Sequence, residues 1–293
     1  MTTQRRPPIG PLPSIATRPL GHPSYRLIAG AGPVQWVCRR PDREITMTSE
    51  HDTTDLTTTD LTTTGPAGLS DPTGTQDTDA PQATESPAVP ELTFADFDVH
   101  PDIVADLADA GIIHPFPIQA MTLPVALGGH DIIGQAKTGT GKTLGFAIPA
   151  LQRAITPNDE AYADLPHAGK PQALMVAPTR ELAVQVAGDI TAAGRRRGAR
   201  VLTVYGGRAY EPQIEALRRG VEIVVGTPGR LIDLAKQGHL DLSHAKTVVL
   251  DEADEMLDLG FLPDVETLMS LTSANRQTML FSATMPGAIV ALA

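Results

Sequence analysis

Residues 131–143 read DIIGQAKTGTGKT, a short apolar run followed at once by a loop with two glycines and a Lys-Thr pair. Gly139 and Gly141 let backbone amides approach an anion without a β-carbon in the way. The apolar stretch that follows is typical of a helix, whose N-terminus adds free N–H donors and partial positive charge. This order predicts a phosphate-binding loop, although the strict pattern has glycine where Ala136 stands.

The same alternation of apolar runs and helical stretches continues through the rest of the chain. The runs are continuously apolar, which is typical of parallel strands covered on both faces. We therefore predict an α/β fold built on a doubly wound parallel sheet, with ligands bound at the carboxyl ends of its strands. The predicted strands are DIIGQA, QALMVAP, RVLTVY, EIVVG, TVVLDEAD and QTMLFSAT. The predicted helices are KTLGFAIPALQRA, RELAVQVAGDITAAG, EPQIEALRRG, GRLIDLAKQG and LPDVETLMSL.

Composition divides the 293 residues into three regions. Residues 1–46 are basic and proline-rich, and we predict a disordered segment there, with an RNA-binding or targeting arm as the alternative. Residues 47–91 hold nine acidic residues and no Lys or Arg. Their low hydrophobicity cannot offset the entropy of ordering the chain, so we predict disorder there as well. A translation start at Met47 is a further alternative, and residues 92–293 form the predicted globular domain.

Bulk properties exclude several classes of protein. The net charge of −11 argues against a polyanionic partner unless a local basic face exists. Cys38 is the only cysteine, which excludes an internal disulfide framework and suits a reducing compartment. Neither a run of about eighteen apolar residues nor a hydrophobic signal core is found, so we expect a cytoplasmic protein without a membrane partner.

A second group of chemically active side chains follows another predicted strand, where TVVL runs into DEAD at 251–254. Beside a phosphate loop, Lys142 would contact the β- and γ-phosphates, and Thr143 with Asp251 would hold Mg²⁺. Glu252 is placed to orient or deprotonate an attacking water. The alternative is an acidic cap and first turn of the next helix, a position that carboxylates favour.

The two motifs together resemble the DEAD-box family of ATP-dependent RNA helicases, which carries alanine at the position of Ala136. The family's other motifs follow in its order: PTREL at 178–182, the doublet Gly206-Gly207, TPGR at 227–230 and SAT at 282–284. Upstream, GIIHPFPIQ at 111–119 resembles the Q motif, with Phe94 at the family's spacing of seventeen residues before it. The resemblance covers about 92–293 and implies a RecA-like P-loop NTPase domain.

The resemblance implies ATP and Mg²⁺ as ligands. It assigns Gln119 to the adenine edge, where a carboxamide offers the donor and acceptor that N7 and N6 require. It assigns Phe94 to stacking on the base. The alternatives are a helix-capping amide for Gln119 and a core aromatic for Phe94. The predicted nucleotide-binding residues are Phe94, Gln119, Ala136, Lys137, Thr138, Gly139, Thr140, Gly141, Lys142 and Thr143.

Residues 194–230 reverse the acidic balance, with eight arginines against three glutamates and a net charge of +5. By the resemblance, the neighbouring strand-end loops bind single-stranded or duplex RNA through its backbone, which positions a strand without reading its bases. For Arg195–Arg197 we predict a solvated helical turn favoured by the helix dipole. The predicted RNA-binding residues are Pro178, Thr179, Arg180, Gly206, Gly207, Thr227, Pro228, Gly229 and Arg230.

The resemblance further implies that the hydroxyls of Ser282 and Thr284 bond Asp254 and couple hydrolysis to strand separation, with strand-end capping as the alternative. The family continues into a second RecA-like domain with an arginine-rich motif, HRxGRxxR in outline, and this string does not occur here. We therefore expect an ATP-dependent RNA helicase truncated to its ATP-binding domain, with hydrolysis near background. A DNA translocase and a nucleic-acid-binding module without appreciable catalysis are the alternatives.

Overall fold

The computed structural model describes residues 25–26, 35–40, 43–48, 92–137 and 139–292. Its strands are β1 Tyr25–Arg26, β2 Gln35–Arg40, β3 Arg43–Thr48, β4 Ile132–Gln135, β5 Ala173–Val176, β6 Val201–Val204, β7 Ile223–Gly226, β8 Thr247–Asp251 and β9 Gln277–Ser282. Its α-helices are α1 Pro101–Asp109, α2 Pro117–Leu127, α3 Lys142–Arg153, α4 Arg180–Ala193, α5 Glu211–Arg219, α6 Pro228–Lys236, α7 Ala253–Asp258, α8 Leu262–Leu271 and α9 Gly287–Val290. Short 3₁₀ helices cover Phe94–Phe97 and Glu160–Tyr162.

The main sheet has the strand order β1-β4-β9-β8-β5-β7-β6, and every neighbouring pair in it is parallel. The six strands predicted from apolar runs are β4 to β9, and the five predicted helices correspond to α3, α4, α5, α6 and α8. The α/β fold with a parallel sheet is therefore confirmed. Strand β9 lies between β4 and β8, so the loops after these three strands are neighbours at the carboxyl edge.

Two hydrophobic cores cover the two faces of the sheet, because alternate residues of each strand point to opposite sides. One core joins Met175 and Val249 to helices α1 to α4, with Phe146 packed against Phe281 at a ring-centroid distance of 5.4 Å. The other joins alternate residues such as Leu250 to helices α5 to α9. Burial on both faces explains why the strand sequences are continuously apolar.

Strands β1, β2 and β3 fall within or next to the basic segment 1–46. Strand β1 pairs with β4 at the edge of the main sheet, and β2 pairs with β3 as a separate antiparallel ribbon. The rest of the predicted disorder in 1–91 lies outside the described residues. In the part of the chain that the structure describes, no helix is both long and apolar enough to cross a membrane.

Candidate functional site

The phosphate loop and the acidic motif meet at the carboxyl edge of the sheet. The Nζ atom of Lys142 lies 2.9 Å from Oδ1 of Asp251 and 3.3 Å from Oε1 of Glu252. Lys142 begins α3 directly after the glycine loop, and Asp251 ends β8, so the strand order brings together residues more than a hundred positions apart. The side chain of Lys142 is only 5% exposed, so water screens these ion pairs weakly.

Asp251 has the character of a cation ligand. Its carboxylate is buried, and neither oxygen accepts a well-oriented hydrogen bond among the described residues. Burial raises the pKa of Asp251, and the ammonium of Lys142 acts in the opposite direction. Thr143 lines the same cleft and offers a hydroxyl oxygen. Mg²⁺ prefers such oxygen donors and usually uses one or two carboxylates together with phosphates and water, so these residues fit the ion.

Glu252 has an unusual backbone. Its φ and ψ angles are 53° and 52°, in the left-handed region, where it caps the N-terminus of α7. Among the described residues, Asp98 is the only other residue besides glycine with positive φ. Such strain persists only where the surroundings hold it, and it is concentrated at functional sites. The strained turn directs the Glu252 carboxylate toward the lysine of the phosphate loop.

Gln119 connects the start of α2 to the phosphate loop. Its Oε1 accepts a hydrogen bond of 2.9 Å from the amide of Phe116, and its Nε2 donates one of 2.6 Å to the carbonyl of Gly141. The helix-capping alternative is therefore observed. The carboxamide has one further lone pair and one further N–H through which it could contact a base.

Phe94, predicted to stack on the base, does not line the cleft in this structure. Its ring is 1% exposed and packs in the core that contains Ile103, which is the arrangement described by the core-aromatic alternative. The aromatic side chain in the cleft is Phe116, which is 58% exposed. A β-carbon on Gly141 would lie 2.6 Å from Cδ2 of this ring. Phe116 could have been predicted as a cleft residue, because it lies within the segment GIIHPFPIQ that resembles the Q motif.

The remaining residues of the phosphate loop hold its shape. The amide of Ala136 donates a hydrogen bond of 2.9 Å to the carbonyl of Ser282, which links the loop to β9. The hydroxyl of Thr140 donates one of 2.9 Å to the carbonyl of Lys137. Thr138 lies outside the described residues. The cleft has a volume of about 350 Å³, and the residues that line it include Phe116, Gln119, Gly139, Gly141, Lys142, Thr143, Asp251 and Glu252.

The predicted contact between the SAT motif and the acidic motif is present. The amide and hydroxyl of Thr284 donate to Oδ2 of Asp254 at 2.9 and 3.0 Å. The amide of Asp254 donates to Oγ of Ser282 at 3.0 Å. Burial alone would raise the pKa of Asp254, but hydrogen bonds from Ser282 and Thr284 lower it below its usual value. This carboxylate therefore stays charged and holds the ends of β8 and β9 together.

The loops after β5, β6 and β7 form a second group at the same edge. Arg180 is exposed and pairs with Glu181 at 2.9 Å, and the hydroxyl of Thr179 caps α4 by accepting from the amide of Leu182 at 3.3 Å. The backbone is exposed at the predicted glycines. Thr227 is partly buried. The exposed glycines are Gly206, Gly207 and Gly229, whereas Pro178 and Pro228 are buried.

Arg230 differs from the prediction that placed it on RNA. It is 8% exposed, and its two terminal nitrogens each donate a hydrogen bond of 3.0 Å to the carbonyl of Arg208. Its guanidinium lies 3.9 Å from the centroid of the Tyr210 ring. Arg230 therefore fixes the loop after β6 from within. The exposed arginine of that loop is Arg208 itself.

The predicted solvated turn at Arg195–Arg197 holds for Arg195 and Arg196, which are exposed, but not for Arg197. Arg197 is 6% exposed and pairs with Asp159 at 2.7 Å. Arg196 pairs at 2.7 Å with Asp106, whose side chain is fully buried, and Arg195 reaches the same carboxylate at 3.4 Å. These three arginines tie the end of α4 to α1 and to the loop after α3, so they belong to the scaffold of the cleft.

Comparison with known proteins agrees with this architecture. The family model described as DEAD/DEAH box helicase matches residues 116–292. The DEAD-box ATP-dependent RNA helicase CshA of Streptococcus pneumoniae is 50% identical over 198 residues, which cover 68% of this chain and 36% of that protein. The ATP-dependent RNA helicase DeaD of Escherichia coli is 50% identical over 200 residues, which cover 68% and 30%. The chain thus spans about a third of the length of these curated relatives.

Solved structures lead to the same assignment. The crystal structure of a DEAD box protein from the hyperthermophile Methanococcus jannaschii matches with a TM-score of 0.61 and 38% identity, over 68% of this chain and 52% of that one. The structure of a hypothetical ATP-dependent RNA helicase from Sulfolobus tokodaii matches with a TM-score of 0.57 and 39% identity, over 65% and 53%. Because a family model covers more than half of its length, the chain belongs to the DEAD/DEAH box helicase family.

Proposed function

We propose that this chain is the ATP-binding domain of an ATP-dependent RNA helicase, in which ATP binding and hydrolysis drive unwinding or remodelling of RNA duplexes. The observation that carries the proposal is the convergence of Lys142 on Asp251 and Glu252 at 2.9 and 3.3 Å. The relatives from Streptococcus pneumoniae and Escherichia coli, which are named ATP-dependent RNA helicases, support the choice of substrate.

Four residues would have separate roles around the phosphates and the metal ion. Bound Mg²⁺ would neutralise charge that develops on the phosphoryl oxygens. Thr143 and Asp251 would hold the ion, and Lys142 would exchange its carboxylate partners for the β- and γ-phosphates. Glu252, released from that lysine, would orient or deprotonate the attacking water. The nucleotide therefore replaces an ion pair that the chain forms with itself.

The base end of the site combines a carboxamide with an exposed ring. Gln119 would bond the adenine edge through its remaining donor and acceptor positions. Phe116 would stack on the base, the role that the sequence resemblance gave to Phe94. Its ring already contacts the phosphate loop at Gly141, so binding of the base and the shape of that loop are linked.

RNA would bind across the loops after β5, β6 and β7. Arg180 and the exposed Gly206, Gly207 and Gly229 let a sugar–phosphate chain approach the backbone, which positions RNA without sequence specificity. Arg230 would act indirectly by holding the loop that carries Arg208. Asp254, with Ser282 and Thr284, would couple hydrolysis to strand separation.

The whole protein is proposed to act in the cytoplasm and to use a second RecA-like domain that supplies arginines to the transition state. Such arginines are worth roughly 10³–10⁵ in turnover. A second candidate function concerns this chain alone. That candidate is an ATP-dependent RNA-binding module without appreciable catalysis.

Nucleotide binding and phosphate release by the full chain test the proposal. We expect the chain to bind ATP–Mg²⁺. We expect RNA to compete for the nucleic-acid site better than DNA of the same sequence does. Glu252→Gln should abolish the residual ATP turnover while keeping ATP binding. Glu266→Gln, at an exposed position of α8, is the matched control and should alter neither ATP binding nor turnover. A chain that binds no ATP, or whose turnover is unaffected by Glu252→Gln, would contradict the ATPase assignment. Unchanged RNA affinity beside a loss of turnover in that variant would separate binding from catalysis.

A further inference from the structure

One partly buried carboxylate in the cleft, that of Asp189, forms no ion pair or hydrogen bond with the other described residues. Two fully buried carboxylates of the domain, Asp106 and Glu222, are neutralised by arginine. The shortest ion-pair distances are 2.7 Å for Asp106 with Arg196 and 2.6 Å for Glu222 with Arg200. The carboxylate of Asp189 therefore accepts no hydrogen bond from the described residues and could accept one from a ligand.

The environment of Asp189 is unfavourable to its charge. Burial raises the pKa of this carboxyl, and no neighbouring cation acts against the effect. A polar group taken from water without a partner costs free energy, and a ligand that donates hydrogen bonds to it would offset that cost. The position is thus suited to a donor that arrives with a ligand.

Asp189 lies on the face of α4 that borders the nucleotide cleft. Leu182, Gln185 and Asp189 are spaced by three and four residues, so they lie on one side of the helix, and all three line the cleft. Across from them are apolar side chains of α1 and the following loop, such as Leu107 and Ile112. The cleft therefore has a phosphate end and an apolar region beside a carboxylate and an amide.

We infer that Asp189 recognises the ribose of the bound nucleotide by accepting hydrogen bonds from its two hydroxyls. A carboxylate has two oxygens and matches a vicinal diol, and an acidic residue on ribose hydroxyls is a recurrent solution in nucleotide sites. Gln185, which lines the same cleft, offers a further amide for the sugar. The inference rests on the proposed binding of ATP and adds the residue that distinguishes a ribonucleotide from a deoxyribonucleotide.

The test compares the affinities of the full chain for ATP, 2′-deoxyATP and 3′-deoxyATP. Because hydrogen bonds to a charged group contribute strongly to affinity, the wild-type chain should bind ATP about tenfold more tightly than each deoxynucleotide. Asp189→Ala should reduce that preference to about twofold or less, by weakening ATP alone. Glu266→Ala, on the surface of α8, is the matched control and should keep the wild-type preference.

The possible outcomes separate this inference from the proposed function. If Asp189→Ala binds ATP and both deoxynucleotides in the wild-type ratio, the ribose assignment is overturned while ATP binding stands. If the wild-type chain binds no nucleotide, both are overturned. A readout of folding protects the comparison: Asp189→Ala should unfold at the same or a higher temperature without nucleotide, because it removes a partly buried charge. A lower unfolding temperature would show that Asp189 has a structural role, which also overturns the assignment.

Discussion

At the scale of single residues, the pairing of Lys142 with Asp251 makes the site a source of both function and stability. We expect Lys142→Ala to lower the free energy of unfolding by about 3–5 kcal/mol at neutral pH, because it leaves a buried carboxylate without its cation. Denaturant unfolding measures the change. Lys236→Ala, an exposed lysine of α6, is the control and should change stability by no more than about 0.5 kcal/mol.

The same variant has a pH dependence of known sign. Burial raises the pKa of Asp251 in the folded chain, so its proton is bound more tightly in the folded than in the unfolded state. Loss of the lysine should raise that pKa further. The penalty of Lys142→Ala should therefore be largest above the raised pKa and shrink as the pH falls through it, because the protonated carboxyl no longer needs a cation. An equal penalty at pH 7.5 and at mildly acidic pH would contradict this account.

The sequence predicted some features of the site and not others, for a physical reason. Asp251 ends β8, Glu252 follows it, and Lys142 begins the helix after the loop that follows β4, so the carboxyl edge brings them together. The burial of Phe94 and Arg230 was not predicted, because exposure depends on tertiary packing. An aromatic ring covered by the core and a guanidinium held by a distant carbonyl have no local signature.

At the scale of secondary-structure elements, Arg197 fixes the turn after α4 to the loop after α3. Its guanidinium pairs with Asp159 at 2.7 Å and donates a hydrogen bond of 3.0 Å to the carbonyl of Ala154. We expect Arg197→Ala to destabilise the chain by about 2–4 kcal/mol, since the buried carbonyl of Ala154 loses this donor and the partly buried carboxylate of Asp159 loses its cation. Arg219→Ala removes an exposed arginine 3.9 Å from Glu215, so we expect no measurable change.

The penalty of Arg197→Ala should also shrink in acid, as for Lys142→Ala, but for a different reason: the pKa of the partner carboxyl is lowered in the folded chain and not raised. Burial alone would raise the pKa of Asp159, but hydrogen bonds from Arg197 and Thr156 lower it below its usual value. A lowered pKa contributes stability above the unfolded value that is lost as the pH falls through the folded value. Wild type and variant should therefore converge in acid. A difference in stability that grows on acidification would refute the role of this ion pair.

The elements themselves were largely predictable. Strands β4 to β9 are continuous apolar runs, and α3 to α6 and α8 follow them with helical spacing, so periodicity alone located them. Helices α1 and α2 were not predicted. The helix α2 has apolar residues on all sides and contains Pro124, so periodicity gives no clear signal there. The short α7 and α9 are below the length at which a pattern can be recognised.

At the scale of the whole molecule, an acidic chain is proposed to bind a polyanion through a small basic edge. Only Arg180 and Arg208 among the arginines of the proposed RNA loops are exposed. Since each phosphate contact on single-stranded nucleic acid contributes about −0.7, log affinity against log salt should have a slope of roughly −1 to −2. Titration of single-stranded RNA at several salt concentrations measures it.

Two variants make that prediction specific. Arg180→Ala should make the slope shallower by about 0.7, the contribution of one phosphate contact. Arg218→Ala should leave it unchanged, because the end of α5 precedes β7 and so lies at the opposite edge of the parallel sheet. Equal effects of the two variants would show that RNA is held by general charge and not by the loops after β5 and β6.

The position of β9 between β4 and β8 has a geometric consequence. Neighbouring strands are about 4.8 Å apart, so the glycine loop and the acidic turn originate from backbones separated by about 10 Å. Nothing adjustable sets that opening: it is the width of one intervening strand. Side chains at the rim can be exchanged without changing this spacing, whereas inserting a strand between β4 and β8 would widen it by about 5 Å. The sheet thus sets how far apart the two loops begin, whatever side chains they carry.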